Sequence, residues 1–249
     1  MRPMIQFVTV LSIATAGYAA DACDLTSLRG PYGFQLSGDT TISGESKQVV
    51  SLGRIVLGDG GALSGSSSVM FVGYLLGNPV TGSYEIRTDC TMIWSLQDDS
   101  GGFQHFQGPI APDGRRARFK QTDLGAAEQG ILVRTSDSCT AASLSKRYQF
   151  TISGSFVRMV PGDVADEMKI DGVVQADDKG AFYLTRNGAS QAAIPVTIGV
   201  ETDCIVTVEF ALPSSAPVKL RGILVDDGKE ILAIRTDAGW IAPARLTAR

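Results

Sequence analysis

Residues 86–90 read IRTDC and residues 200–204 read VETDC, and these two tags hold two of the four cysteines in a chain of 249 residues. Working outward from the tags, the whole chain proves to be written twice. Residues 23–38, CDLTSLRGPYGFQLSG, match residues 139–154, CTAASLSKRYQFTISG, with Leu28, Tyr32, Phe34, Ser37 and Gly38 aligned to Leu144, Tyr148, Phe150, Ser153 and Gly154. Gly61-Ala62 recurs as Gly180-Ala181. After each tag, Gly108, Asp113, Gly114, Thr122 and Asp123 return as Gly222, Asp227, Gly228, Thr236 and Asp237. Internal repetition at this period is a tandem duplication of a unit of about 115 residues, the size of one small domain.

Within each unit apolar residues alternate with polar or small ones. Tyr32, Phe34 and Leu36, then Met92, Trp94 and Leu96, then Ile170, Gly172, Val174 and Ala176 follow period two, the repeat of half-buried strands. No amphipathic helix is visible. Turn signals punctuate these runs at Gly58-Asp59-Gly60-Gly61, Asn78-Pro79, Asp99-Ser100-Gly101-Gly102, Pro112-Asp113-Gly114, Asp177-Asp178-Lys179-Gly180 and Asp227-Gly228. In the first unit they delimit strands near 31–37, 48–58, 62–73, 80–89, 91–97, 103–111, 115–122 and 129–135. Eight antiparallel strands in sequence order can close on themselves and remove both exposed edges. The expected fold is all-β, two tandem antiparallel up-and-down β-barrels of about eight strands each, over residues 23–136 and 137–249.

Residues 1–22 have a basic residue, an apolar run and a small-residue end, which predicts a secretory signal peptide and an extracytoplasmic protein, periplasmic or secreted. No apolar run approaches the roughly 20 residues of a membrane helix. With 44% hydrophobic residues, 28 glycines and a net charge of -4, the chain has the material for two cores and many turns, and no basic run of the kind that binds nucleic acid. In an oxidising compartment cysteines pair. Four permit three pairings, and the duplication favours Cys23 with Cys90 and Cys139 with Cys204, each unit closing its own bridge at one barrel end.

Candidate chemistry is sparse, and neither a catalytic residue nor a metal site is nominated. The single histidine, His105, aligns with Lys219, so the duplication does not retain it. The acid pairs Asp98-Asp99, Asp177-Asp178 and Asp226-Asp227 stand at hairpins, where aspartate stabilises turns. More informative are Asp89 and Asp203 in the tags, and Asp123 and Asp237, because both copies keep them; each either accepts backbone N–H groups or faces a ligand site. Tyr32 and Tyr148 read as inward-facing residues with a polar handle that could line a pocket.

The order Y-x-F, then G-x-[IV]-x-x-D-x-x-G-x-[ILF], then D-C at a hairpin, then D-D-G-K-E-I ending in T-D, resembles a group of secreted bacterial proteins without an assigned activity, usually carrying one copy. Tyr32 to Phe34, Gly53 to Leu63, Asp89-Cys90 and Asp113 to Asp123 carry it first; Tyr148 to Phe150, Gly172 to Phe182, Asp203-Cys204 and Asp226 to Asp237 carry it again, with the fuller D-D-G-K-E-I. The strand count also resembles the calycin-type barrels of lipocalins and allene oxide cyclases, without the lipocalin G-x-W signature. Neither resemblance transfers a catalytic residue. The expected function is therefore a disulfide-stabilised binding or envelope-associated module rather than an enzyme, using no cofactor, with a small apolar ligand as the candidate occupant of a barrel. The alternatives are a cyclase or isomerase acting on an apolar substrate inside a barrel, and a sixteen-stranded outer-membrane pore. The pore is disfavoured because the strands lack aromatic girdles.

Overall fold

A computed structural model describes residues 28–249 except 43, 99–100, 158–165, 189–191 and 214–215. The expected leader and Cys23 lie outside the described residues. The chain forms two closed antiparallel barrels in tandem, as the periodicity predicts. The first is built from β1 (Gly30–Ile42), β2 (Glu45–Leu57), β3 (Ala62–Phe71), β4 (Tyr74–Ile86), β5 (Thr91–Asp98), β6 (Phe103–Pro109), β7 (Arg116–Gln121) and β8 (Gln129–Arg134). Each strand pairs with the next, and β8 returns to β1 in the register Phe34 opposite Leu132. The second comprises β9 (Arg147–Phe156), β10 (Asp166–Ala176), β11 (Phe182–Arg186), β12 (Ile194–Val200), β13 (Ile205–Ala211), β14 (Pro217–Val225), β15 (Glu230–Arg235) and β17 (Pro243–Ala248), with Phe150 opposite Leu246 at the closure. A two-residue strand, β16 (Trp240–Ile241), adds to β9.

One turn prediction is corrected. Asn78-Pro79 lies inside β4, with Pro79 opposite Ser66, and the hairpin falls earlier, at Val72-Gly73, where both residues have positive φ. A proline removes one ladder donor without ending a strand whose other groups stay paired.

The inward face of the first barrel is filled by aromatic packing. Trp94 stacks on Phe106 at 4.6 Å between ring centroids and meets Phe119 edge-on at 4.8 Å, with Phe34 edge-on at 5.9 Å. Glycines opposite the rings make the room. A Cβ on Gly53 would lie 2.1 Å from the Phe34 ring, and one on Gly130 would lie 2.9 Å from Phe119. Alternation of small and large residues is how a narrow barrel is packed solid. The second barrel is filled more by aliphatics: Val206, Val208, Leu220, Leu246 and Ile152 surround Phe150 and Phe210.

A third apolar cluster joins the barrels. Val50 and Leu52 of β2, Met70 of β3 and Val133 of β8 point outward from the first barrel and pack on Ile205, Ile223, Val225, Leu232, Ile234 and Ile241 of the second. Burial of each such side chain is worth about 2 kcal/mol, so these barrels are welded rather than strung on a linker. Gly33 sits at the centre of the contact, where a Cβ would come within 2.7 Å of Val225. Polar groups complete it. The Gln35 amide donates to the carbonyls of Ala233 and Ala244, at 2.6 and 2.9 Å, and the Thr135 hydroxyl donates to the Leu224 carbonyl. Glu230, whose side chain is 3% exposed, is held between Arg116 and Arg245. Arg115 reaches Asp227 at 2.6 Å and Asp226 at 3.6 Å, so this acid pair bridges the barrels as well as turning a hairpin.

Candidate functional site

The two tags fold identically. Cys90 N–H donates to the Arg87 carbonyl and Cys204 N–H to the Glu201 carbonyl, both at 3.0 Å, closing a four-residue turn. The cysteines take φ of 61° and 68°, a left-handed conformation that costs most residues about 1 kcal/mol or more. Each aspartate then accepts from the next strand, Asp89 from Thr91 N–H at 3.0 Å and Asp203 from Ile205 N–H at 3.2 Å. That backbone bond holds the Asp89 carboxyl below its ordinary value. Cys139 and Cys204 form a disulfide enclosing 65 residues of sequence separation. Cys90 is not a free thiol, and its expected partner, Cys23, lies outside the described residues.

Asp123 and Asp237 also do the same job twice. Asp123 accepts from His105 N–H at 2.8 Å, and Asp237 accepts from Lys219 N–H at 3.0 Å. Thr122 N–H and Thr236 N–H donate back to the carbonyls of those same two residues. What the duplication kept at His105 and Lys219 is therefore a backbone position. Burial raises the Asp123 carboxyl, but the bonds from the His105 backbone, the Gln121 amide and the His105 ring outweigh it, leaving the group lowered. Tyr32 and Tyr148 are buried, and their hydroxyls donate at 2.8 Å to the carbonyls of Gly114 and Gly228, tying the first strand of each barrel to its sixth turn. Burial raises both phenols, with Arg134 opposing the rise at Tyr32 and Ser145 at Tyr148.

These duplicated residues are thus spent on internal bonds. The lumen of the first barrel leaves only about 30 Å³ at its open end, beside Phe34, Leu36 and Leu96, so the expected place for a small apolar ligand is occupied by the protein's own side chains.

The space lies between the barrels instead. A cleft of about 630 Å³ is walled on one side by Ser37, Gly38 and Asp39 of β1 with Gln48 and Val49 of β2. Ser153, Gly154 and Ser155 of β9, with Glu167, Met168 and Lys169 of β10, wall the other side. Gly38 is opposite Val49 and Gly154 is opposite Met168, so the walls are the same strand pair taken from each repeat. The Ser155 hydroxyl crosses the cleft to the Gln48 amide oxygen at 2.5 Å. This lining is solvent-accessible and mixed, setting hydroxyl, amide and charged groups beside apolar Val49, Met168, Ile241 and Pro243. Sequence reasoning aligned Ser37-Gly38 with Ser153-Gly154 but had no means to see that the copies would face each other, since that depends on how the barrels dock. Among the described residues no cluster of His, Cys, Asp and Glu could hold a metal ion, and no helix is long and apolar enough to cross a membrane.

No protein-family model and no curated protein matches the chain. Among solved structures, it is similar to the hemagglutinin of Myxococcus xanthus in complex with a3,a6-mannopentaose, at 13% identity and a TM-score of 0.15, over 86% of this chain and 99% of that one. It is also similar to the Burkholderia oklahomensis agglutinin, at 14% identity and a TM-score of 0.17, over 90% of this chain and 98% of that one. Scores this low transfer neither a residue nor a ligand.

Proposed function

We propose that this protein is an extracytoplasmic, non-enzymatic binding module whose site is the cleft between its barrels. One observation carries the reading: equivalent strands of the two repeats converge on an open cleft of about 630 Å³ lined by Ser37, Gln48, Ser153 and Ser155 hydroxyl and amide groups, while the barrel lumens are filled. Hydroxyl and amide groups beside apolar Val49, Met168, Ile241 and Pro243 on rigid strands suit a small polar ligand with an apolar face, because each hydroxyl and amide can both donate and accept. The Cys139–Cys204 disulfide supports an oxidising compartment. A cyclase or isomerase working inside a barrel would need a lumen that Trp94, Phe106 and Phe119 occupy.

Calorimetric titration with neutral oligosaccharides, short polar peptides and a fatty acid tests this. A polar compound should bind, and Gln48→Leu with Ser155→Val should weaken it at least tenfold. Fatty-acid binding that these substitutions leave unchanged would place the site elsewhere.

A further inference from the structure

We propose that the outer face of β5, β6 and β7 on the first barrel is a docking surface for an acidic segment of another protein. The inference is independent of the cleft, and it starts from how the barrels hold each other.

Their contact is heterologous. The first barrel offers the outer face of β8, β1, β2 and β3, and the second receives it on the outer face of β13, β14 and β15. Because the repeats are equivalent, the first barrel carries its own version of the receiving face, and none of the described residues covers it. Residue by residue, Ile205, Ile223, Leu232 and Ile234 of the occupied face correspond to Thr91, Pro109, Arg118 and Lys120. Glu201 at its rim corresponds to Arg87. The backbone is more open here: Gly108 corresponds to Gly222, but a Cβ on Gly108 would lie 1.8 Å from the Arg118 carbonyl oxygen against 3.1 Å from the Leu232 carbonyl oxygen at Gly222, and β6 pairs with β7 through only Phe106 and Gln107 apart from an isolated bridge at Ile110, where β14 and β15 pair continuously from Leu220 to Val225. The result is a groove of about 450 Å³ with Pro109, Gly108 and the edge of Phe119 along its floor and Arg87, Arg118 and Lys120 around it.

All three cations are exposed. Arg118 and Lys120 have no ion-pair partner among the described residues, and Arg87 has Glu85 at 3.8 Å and the Asp89 carboxylate within electrostatic reach. Three positive side chains around an apolar floor, on a chain of net charge -4, select an acidic partner. A second copy of this chain does not fit. The face it would bring, on β9, β10 and β17 of its second barrel, presents Lys169 and Arg245 where the first barrel has Val50 and Ile131. Protein is favoured over other polyanions because the equivalent face of the second barrel already binds a sheet surface in this molecule.

The probe is a fluorescein-labelled peptide alternating Glu and Val over eight residues, followed by anisotropy with the full chain. We expect binding that weakens with added salt, falls at least tenfold in Arg118→Ser with Lys120→Ser, and changes less than twofold in Lys146→Ser with Arg147→Ser, which removes the same charge elsewhere. An unaltered melting temperature in each variant confirms that folding is intact. Three results would overturn the proposal: no peptide binding, equal loss in both double variants, or tighter binding of a sulfated polysaccharide or of vesicles with anionic lipid that depends on Arg118 and Lys120.

Discussion

Glu128 is the least comfortable residue in the first barrel. It is 2% exposed, and its Oε2 has no hydrogen-bond partner. Burial, with a further push from the Asp123 carboxylate, raises its pKa from 4.5 to about 7. A carboxyl whose folded pKa is raised keeps its proton longer in the folded state than in the unfolded one. The contribution of this group to stability is therefore fully present below pH 4.5, is lost as pH climbs toward 7, and changes no further above it. The shift corresponds to about 3 kcal/mol. Glu128→Gln should accordingly stabilise the protein at pH 8 by about 2 kcal/mol and change little at pH 4.5, as read by urea denaturation at both pH values; an unchanged slope in the variant would assign the pH dependence elsewhere. The second repeat has Ala242 at this position, with the equivalent backbone bond intact, Gln121 N–H to the Glu128 carbonyl matching Arg235 N–H to the Ala242 carbonyl. At this scale the sequence made the kept residues legible, because Asp89, Asp123, Tyr32 and their copies perform duplicated backbone work. Glu128 was invisible for the opposite reason: only one copy has it, and nothing in a string of letters marks a carboxyl as unpartnered.

Strands and turns were legible wherever one face is buried. Period two marks β1, β5 and β10, and their pairing follows sequence order. The reading stopped short where a strand leaves the barrel wall. The ladder of β1 and β2 continues through Asp39, Thr40 and Thr41 to Ile42 opposite Glu45, carried by backbone bonds under polar side chains that give no periodic signal. That overrun is also what supplies the cleft with Asp39, opposite Gln48 at the start of the expected second strand, so the missed end of β1 and part of the missed site have one cause. The tag turns make a separate point about elements. A cysteine in the left-handed region is tolerable when a bridge holds it, and the Cys139–Cys204 link ties the segment entering β9 to the β12–β13 hairpin. Cys139→Ser with Cys204→Ser should cost about 4 kcal/mol by the loop-entropy argument for a 65-residue separation, measured as a lowered denaturation midpoint with the barrel still closed by circular dichroism.

For the whole molecule, the decisive contact is the weld between barrels, and no sequence pattern announced it. Val50 and Leu52 lie outward on β2, whose inward face carries Ile55 and Leu57, and Leu232 and Ile234 alternate with inward Ile231 and Ala233 on β15, yet only the docked structure says what covers the outward face. Glu230 is the polar centre of that weld, and removing it leaves Arg116 and Arg245 facing each other. Glu230→Ala should destabilise by about 3 kcal/mol and split one calorimetric transition into two, the signature of barrels that melt independently; a single transition at the parent temperature would show that the apolar cluster alone suffices.

The joint between the barrels is equally committed. Thr135 donates to the Leu224 carbonyl, the Arg54 guanidinium reaches the carbonyls of Ser136 and Asp137, the Cys204 sulfur lies 3.5 Å from the Ser136 carbonyl oxygen, and Cys139, two residues after Asp137, is bridged. Every residue but one along this crossing is therefore anchored to a barrel. A joint so made is a splice and not a hinge, and it changes what capture means for the cleft. No jaw has to close, so the entropy that hinged receptors lose on shutting is already spent during folding. Encounter then becomes a matter of diffusion, and residence time alone sets how well one ligand is told from another.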